Sequence, residues 1–465
     1  MADSSYQAII IGAGPGGYPC AIRLAQLGVK TLIIERDNWG GVCANVGCIP
    51  SKALIHASKR LDEIKHASDF GIEVGGDVTL NMQKLQAWKQ KVIGRLTGGI
   101  ETLLKGNKVD RVLGDATLTG PKQVTVNTAD GQQVFKGEHI VLATGSSPIE
   151  IPGFSFSDPH ILSSTGALAL DTVPDHLLVI GGGYIGLELG GMYAGLGAKV
   201  TIVEFMDSLL PGFDPDVVKL LTRRFKKRGV KMHLKSKATG WEATDDGVCV
   251  HIDTPKGPQS IDADAVLVTV GRTPNTAGLG LKKLGVKMDG HFIKVDPQRR
   301  TNVPSIFAIG DVAGQPMLAH KATAEGEVVA EVIAGHNVIY DPRTVPAVVF
   351  TDPEVAQAGI DEAAARAKGP VKIGKVPFAA IGKALTNNAT DGFIKVIVDA
   401  EDHRVLGVTI VGQHASDLIS EASLAIEMDA EALDLGLTIH PHPTLGEGIM
   451  EAAKAALGEA IHILG

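Results

Sequence analysis

Cysteine is scarce in this 465-residue chain, which carries four and so cannot be a secreted disulfide scaffold. No apolar run approaches the ~20 residues that a membrane span requires. The formal net charge is −8 with acids and bases interspersed, which argues against nucleic acid and anionic membranes as partners. A signal or transit segment is not expected, because the apolar run Gln7-Ala8-Ile9-Ile10-Ile11 begins almost at once. These absences point to a reducing, cytoplasmic setting. There a cysteine pair is expected to be catalytic or metal-binding rather than structural.

Glycine, in contrast, is abundant. Fifty-six glycines among 44% apolar residues fit a large α/β protein with many tight strand–helix turns, and the length suggests about three domains. Two segments share one design. Ile9-Ile10-Ile11 runs into Gly12-x-Gly14-x-x-Gly17, a helical pattern and then Thr31-Leu32-Ile33-Ile34-Glu35. Leu178-Val179-Ile180 runs into Gly181-x-Gly183-x-x-Gly186, a helical pattern and then Val200-Thr201-Ile202-Val203-Glu204. The interval from first glycine to terminal acid is 23 residues in both. In a dinucleotide loop the first glycine makes the turn, the second admits the pyrophosphate and the third lets helix and sheet pack closely. The helix N-terminus offers N–H groups to the phosphates. Glu35 and Glu204 are expected to accept hydrogen bonds from ribose hydroxyls. Phe205-Met206-Asp207 follows the second acid with no cation for a 2′-phosphate, so NAD is expected over NADP.

Just downstream of the first loop lies Gly40-Gly41-Val42-Cys43-Ala44-Asn45-Val46-Gly47-Cys48-Ile49-Pro50-Ser51-Lys52, with two of the four cysteines. Two thiols beside a dinucleotide suggest a disulfide made and broken during turnover. Positions five apart in a regular helix are rotated by about 140°, too far for a disulfide. If the two pair, the backbone near Asn45 and Gly47 departs from a regular helix. Accessible, strained disulfides are the reducible kind.

Three further stretches read as strand tips. His139–Ser146 ends in a small-residue turn at Thr144 and Gly145, and Pro148 and Pro152 then mark a domain crossing. Ala265–Asn275 has the same form. Ser305–Asp311 ends in an acid, and a helical pattern begins near Met317-Leu318-Ala319-His320-Lys321. Asp311 suits either a polyol hydroxyl or a turn, and spacing does not choose between them. From about Thr344 the pattern changes. Phe393–Val398 and Val405–Val411 read as neighbouring strands. In Ile439-His440-Pro441-His442-Pro443-Thr444-Leu445-Gly446-Glu447 each histidine precedes a proline and is expected outside a helix. Glu447 is near enough to orient an imidazole, which would make a general base. A pair of surface loop histidines fits the same residues.

Taken together, GAGPGG at 12–17, GGVCANVGCIPSK at 40–52, ATGSSP at 143–148, GGGYIGLELG at 181–190, VGRTPN at 270–275, FAIGD at 307–311, FTDPEVAQAG at 350–359 and HPHPTLGE at 440–447 resemble the flavoprotein disulfide reductases across essentially the whole chain. The resemblance implies an α/β fold with two Rossmann-like dinucleotide-binding domains and a C-terminal α+β dimerisation domain. It divides the chain into 1–148 (FAD-binding), 149–275 (NAD-binding), 276–343 (central, completing the FAD region) and 344–465 (interface). FAD is assigned to Gly12, Gly14, Gly17, Glu35, Lys52, Gly114, Thr144, Gly145, Asp311 and Ala319. NAD is assigned to Gly181, Gly183, Gly186, Glu204 and Gly271. Cys48 becomes the thiol against the flavin and Cys43 the thiol that exchanges with substrate. Lys52 pairs with Glu188, and its charge, four residues after Cys48, would favour a thiolate. His442, oriented by Glu447, serves as base in the partner subunit's site, which implies an obligate homodimer. No metal is implied.

Within the family the resemblance is closest to enzymes that oxidise dihydrolipoyl groups with NAD⁺. The implied substrate carrier is a lipoylated acyltransferase or a glycine-cleavage carrier protein. A glutathione-type reductase and a non-catalytic redox-sensing flavoprotein are the alternatives. The first would want arginines after Glu204, and the second would not need a His442–Glu447 pair. A metal-ion reductase would carry a further cysteine pair, and none follows Cys249. Val42 and Trp39 depart from the family pattern beside the cysteines. Cys20 and Cys249 read as structural.

Overall fold

The apolar run at the N-terminus becomes the central strand, Ser5–Ile11, of a seven-stranded sheet in a computed structural model that describes residues 5–464. Thr31–Glu35 and Gly131–Leu142 flank it in parallel, and Asp110–Leu113 adds outside Thr31–Glu35. Parallel strands covered on both faces read as continuous apolar runs, and Ile9, Ile10, Leu32 and Ile33 are fully buried. An antiparallel meander, Asp115–Gly120, Gln123–Thr128 and Gly131–Leu142, extends one side. Ile306–Ala308 then returns from far along the chain to lie parallel to Gly131–Leu142. The tip of that late strand therefore reaches the same sheet edge as the first glycine loop.

The second glycine loop belongs to an all-parallel five-stranded sheet in the order Lys231–His233, Lys199–Val203, His176–Ile180, Ala265–Val268, Ile161–Leu162. A three-stranded antiparallel sheet spans Lys237–Ala263. The two sheets that carry the glycine loops are joined where Ser146–Pro148 pairs with Arg272–Pro274. The C-terminal part is a five-stranded antiparallel sheet, in the order Ala347–Val349, Glu354–Gly359, Val405–Gly412, Phe393–Asp399, Val371–Pro377. Helices Ala415–Glu427 and Glu447–Leu457 pack on it.

Two contacts between these parts position the site. Helix Cys48–Lys65 lies on helix Tyr184–Leu196, with Ser58 Oγ donating to the Met192 carbonyl at 2.9 Å. The C-terminal sheet is tied to the second unit by Lys395, whose buried ammonium meets Asp214 and Asp216 at 2.9 Å and Glu362 at 3.1 Å. The C-terminal part also leaves Leu424, Met428, Leu437 and Ile439 exposed, an apolar surface of the kind that marks a protein interface. Among the described residues, no helix is long and apolar enough to cross a membrane.

Candidate active site

The duplicated loops repeat the same close approaches. A Cβ on Gly17 would lie 1.9 Å from the Gly12 carbonyl oxygen, and one on Gly186 would lie 2.1 Å from the Gly181 carbonyl oxygen. Only glycine lets each helix start so close to its strand. At Gly14 and Gly183 the Cβ direction is open, with no described atom within 4 Å, so a phosphate can approach the backbone there. Each terminal acid clasps its own loop. Glu35 accepts from Ala13 N–H at 2.6 Å and from Asp37 N–H at 2.9 Å. Glu204 accepts from Gly182 N–H at 2.5 Å and from Met206 N–H at 2.6 Å. Each carboxylate oxygen has a second lone pair for a ribose hydroxyl. These cradles fit two dinucleotides. Gly114, at the end of Asp110–Leu113, donates its N–H to the Glu35 carbonyl at 2.8 Å.

The cysteine segment is seated on the first loop. Gly40 N–H donates to the Ala13 carbonyl at 3.0 Å, and a Cβ on Gly41 would lie 2.7 Å from Gly14 Cα. Helix Gly41–Asn45 carries Cys43 and stops, Val46 and Gly47 leave the helical conformation, and Cys48 opens the next helix. The departure expected for a pair five apart therefore occurs at Val46 and Gly47. Asn45 secures the break, its amide donating to the carbonyls of Trp39 at 3.0 Å and Gly41 at 2.9 Å. Both cysteines are free thiols, Cys43 half-buried and Cys48 exposed.

Their mutual hydrogen bond separates the two thiols chemically. It holds Cys48 down to about 7 and pushes Cys43 up. Protein atoms crowd Cys48 on most sides even though it keeps accessible surface, and that crowding opposes the effect. The Lys52 charge assists it, and Glu188 works against it. Cys48 is also the first residue of its helix, where backbone N–H groups and the dipole favour an anion. Alkylation of the reduced protein at Cys48 is therefore expected to rise with pH around a midpoint near 7, as the thiolate forms. Cys249, whose thiol is pushed up by burial and by Asp262, should react only at higher pH. A midpoint for Cys48 above 8, read by peptide mapping after iodoacetamide pulses, would contradict the asymmetry.

Lys52 Nζ lies 2.6 Å from Glu188 Oε2, a pair bridging the cysteine helix and the second unit's helix. The other Glu188 oxygen accepts from Phe350 N–H at 3.0 Å, and Lys52 sits 4.4 Å from the centre of the Phe350 ring. All three parts of the chain thus meet at one ion pair.

Asp311 lies in a short 3-10 turn, Gly310–Ala313, and Ala319 opens helix Ala319–Ile333. Thr144 and Gly145 are fastened across the crossing, where Thr144 Oγ1 donates to the Asn275 carbonyl at 2.8 Å and Asn275 N–H donates to the Gly145 carbonyl at 2.9 Å. The Gly271 carbonyl accepts from Ile149 N–H at 3.1 Å in the same crossing. Four residues to which the sequence reading gave no role surround Asp311: Ser146 donates to it, Arg272 holds Ser146, and Lys321 and Glu325 grip the turn.

His442 lies apart from this cluster. Its Nδ1 is 2.8 Å from Glu447 Oε1, and its side chain is 79% exposed. Burial works to raise the Glu447 carboxyl, but Thr444 N–H, at 2.8 Å, and His442 outweigh it and hold the group below the usual carboxylate range. Among the described residues, His442 makes no hydrogen bond to either cysteine of its own chain. His440 faces the other way, buried between Glu421 at 2.8 Å and the Thr438 carbonyl at 2.9 Å.

Comparison with known proteins agrees with this geometry. Residues 6–326 match the family described as pyridine nucleotide-disulphide oxidoreductase, and residues 345–453 match the dimerisation domain of the same description. The chain is 52% identical over 460 residues to the dihydrolipoyl dehydrogenase of Geobacillus stearothermophilus, covering 98% of this chain and 97% of that protein. It is 48% identical over 465 residues to the dihydrolipoyl dehydrogenase of Thermus scotoductus, covering 99% of each. The crystal structure of LpdA from Mycobacterium tuberculosis superposes with a TM-score of 0.90 at 29% identity, covering 96% of this chain and 99% of that one. The HOCl-induced flavoprotein disulfide reductase RclA from Escherichia coli superposes with a TM-score of 0.87 at 28% identity, covering 97% and 99%.

Proposed function

The chain belongs to the pyridine nucleotide-disulphide oxidoreductase family, and from that premise we propose that it oxidises protein-borne dihydrolipoyl groups to the lipoyl disulfide and reduces NAD⁺. One observation carries the reading: the Cys43–Cys48 segment is packed directly on the first dinucleotide loop, with Gly41 against Gly14. A thiol pair built into the wall of a nucleotide cradle is suited to passing electrons across it. Relatives about 50% identical over nearly the full chain carry the name dihydrolipoyl dehydrogenase, which supports the substrate class.

In the oxidised enzyme Cys43 and Cys48 form a disulfide. His442 takes the proton of one dihydrolipoyl thiol, and the thiolate attacks Cys43, breaking the Cys43–Cys48 bond and releasing Cys48 as a thiolate. The second lipoyl thiol then displaces Cys43 from the mixed disulfide. Lipoyl disulfide leaves, two electrons remain on the cysteine pair, and of the two protons one rests on His442 and the other on the Cys43 thiol. Lys52 stabilises the Cys48 thiolate, and Glu188 holds Lys52 in place. The first loop, Glu35 and Asp311 would hold FAD, which would supply the two-electron relay between the dithiol and NAD⁺. The second loop and Glu204 would hold NAD⁺. The exposed Phe205 and Met206 beyond Glu204 offer no cation to a 2′-phosphate.

The exposure of His442 and the apolar surface around Ile439 support a homodimer in which the partner's His442 serves each cysteine pair. The same reading divides the chain at 1–148, 149–275, 276–343 and 344–465. It also gives the protein a cytoplasmic place and a lipoylated acyltransferase or glycine-cleavage carrier as its partner.

The test is an anaerobic titration of the purified protein with dihydrolipoamide, followed by NAD⁺. A long-wavelength absorbance band after the first addition and NADH at 340 nm after the second are expected. A protein that stays oxidised with dihydrolipoamide and is reduced by NADPH instead would overturn the assignment.

A further inference from the structure

Beneath Asp311 lies a buried charge cluster that the chemistry above does not use. Lys321 and Glu325, four residues apart on helix Ala319–Ile333, are 4% and 0% exposed. Their Nζ and Oε1 atoms are 3.1 Å apart. Together they grip both sides of one backbone unit. Gly310 N–H donates to Glu325 Oε2 at 2.6 Å, and the Gly310 carbonyl accepts from Lys321 Nζ at 3.1 Å. Gly310 has φ +72° and opens the 3-10 turn, so its N–H has no partner within the turn and needs an acceptor where buried. Lys321 Nζ also donates to the Gly314 carbonyl at 2.9 Å. One ammonium therefore ties the two ends of the turn that carries Asp311.

The cluster is overbuilt for a structural pin. Arg299 adds a second cation, 3.2 Å from Glu325 Oε1 and stacked 4.2 Å from the centre of the Tyr340 ring. One buried and one partly buried cation thus face one fully buried carboxylate, an arrangement costly to desolvate and worth little as stability alone. The Asp311 side chain is fixed independently from above. Ser146 Oγ donates to Asp311 Oδ2, and Arg272 Nε donates to Ser146 Oγ at 2.7 Å. Backbone and side chain of the same acid are held from two different parts of the chain, and Asp311 Oδ1 is left without a partner among the described residues.

We infer that Lys321 and Glu325 are positioning residues that hold the Asp311 turn in register for the polyol chain of FAD, and so set how firmly the flavin is retained. The inference rests on the FAD assignment proposed above. Each acts through the Gly310 peptide that it grips.

The test uses the flavin-loaded protein and its Lys321→Met, Glu325→Gln, Lys321→Arg and Asp311→Ala variants, with the exposed Glu327→Gln on the same helix as control. FAD release is followed by the rise in free-flavin fluorescence after dilution into mild chaotrope. Far-UV circular dichroism and the visible flavin spectrum are recorded on each variant. Lys321→Met and Glu325→Gln are expected to release FAD at least tenfold faster than the parent and to approach Asp311→Ala. Lys321→Arg should stay within about threefold of the parent, because a cation is restored. If Lys321→Met does not fold, the isosteric Glu325→Gln decides. Release within twofold of the parent in these variants, while Asp311→Ala is fast, overturns the positioning role and leaves the FAD assignment standing. A parent protein that neither carries nor takes up FAD overturns the assignment, and the inference with it.

Discussion

Cys48→Ser is expected to abolish NAD-linked oxidation of dihydrolipoamide, by roughly 10⁴-fold or more, the scale seen when a covalent relay loses its reacting group. The chain offers no substitute thiol. Cys20 is fully buried in the core of the first sheet, and Cys249 lies in the three-stranded antiparallel sheet, its thiol pushed up rather than down. The two single variants should fail differently. With Cys43→Ala, the remaining Cys48 keeps its helix N-terminus and the nearby Lys52 charge but loses the hydrogen bond that does most to lower it. Its alkylation midpoint should therefore move upward from about 7. With Cys48→Ser, the remaining Cys43 loses the partner that raises it and should become easier to alkylate at neutral pH. Activity above about 1% of the parent in either variant would mean that electrons do not pass through this pair.

His442→Gln ranks second, with an expected loss of 10²- to 10⁴-fold, the usual range for removing a general base. Because the side chain is largely exposed in the chain, the substitution should leave folding stability within about 0.5 kcal/mol of the parent. Loss of activity without loss of stability separates a chemical role from a packing one. Subunit mixing then reads the dimer directly. A hybrid of one Cys48→Ser subunit and one His442→Gln subunit has one site with both groups intact if the base acts across the interface, and none if it acts within a chain. Random reassortment should then recover about a quarter of the parental activity, given a closed two-fold dimer. No recovery, with hybrids verified by mass, would place the base in its own subunit's site and overturn the shared-site reading.

The parts of the site that were legible in the sequence are those in which neighbours along the chain cooperate. The glycine loops were legible because strand, turn and helix follow one another within 23 residues and leave a fixed residue spacing. The break between Cys43 and Cys48 was legible because a five-residue separation is incompatible with a continuous helix. The proximity of Glu447 to His442 was legible for the same reason of short range. What the sequence hid is long-range. Nothing local says that Ile306–Ala308 returns to Gly131–Leu142, or that Ser146 reaches Asp311 across 165 positions. The Lys321–Glu325 grip was hidden for another reason, since a helical i, i+4 pair looks the same in sequence whether it lies in solvent or under a buried turn. The clasp of each acid on its own loop was hidden as well, because the acid's spacing shows where it arrives and not what its oxygens meet. Lys52 was expected to favour the Cys48 thiolate, and it does so, but the Cys43 thiol contributes more.

The two glycine loops are alike in their backbone and unlike in their surroundings. The first is overlaid by its own chain: Gly41 rests on Gly14, and the Ala322 carbonyl comes within 3.2 Å of where a Cβ on Gly16 would stand. The second is bordered by the exposed side chains of Tyr184, Phe205, Met206 and Val270. A molecule held by the first loop is therefore expected to leave more slowly than one held by the second, which is bordered by exposed side chains. One repeated sequence device thus lies under cover in one place and open to water in the other.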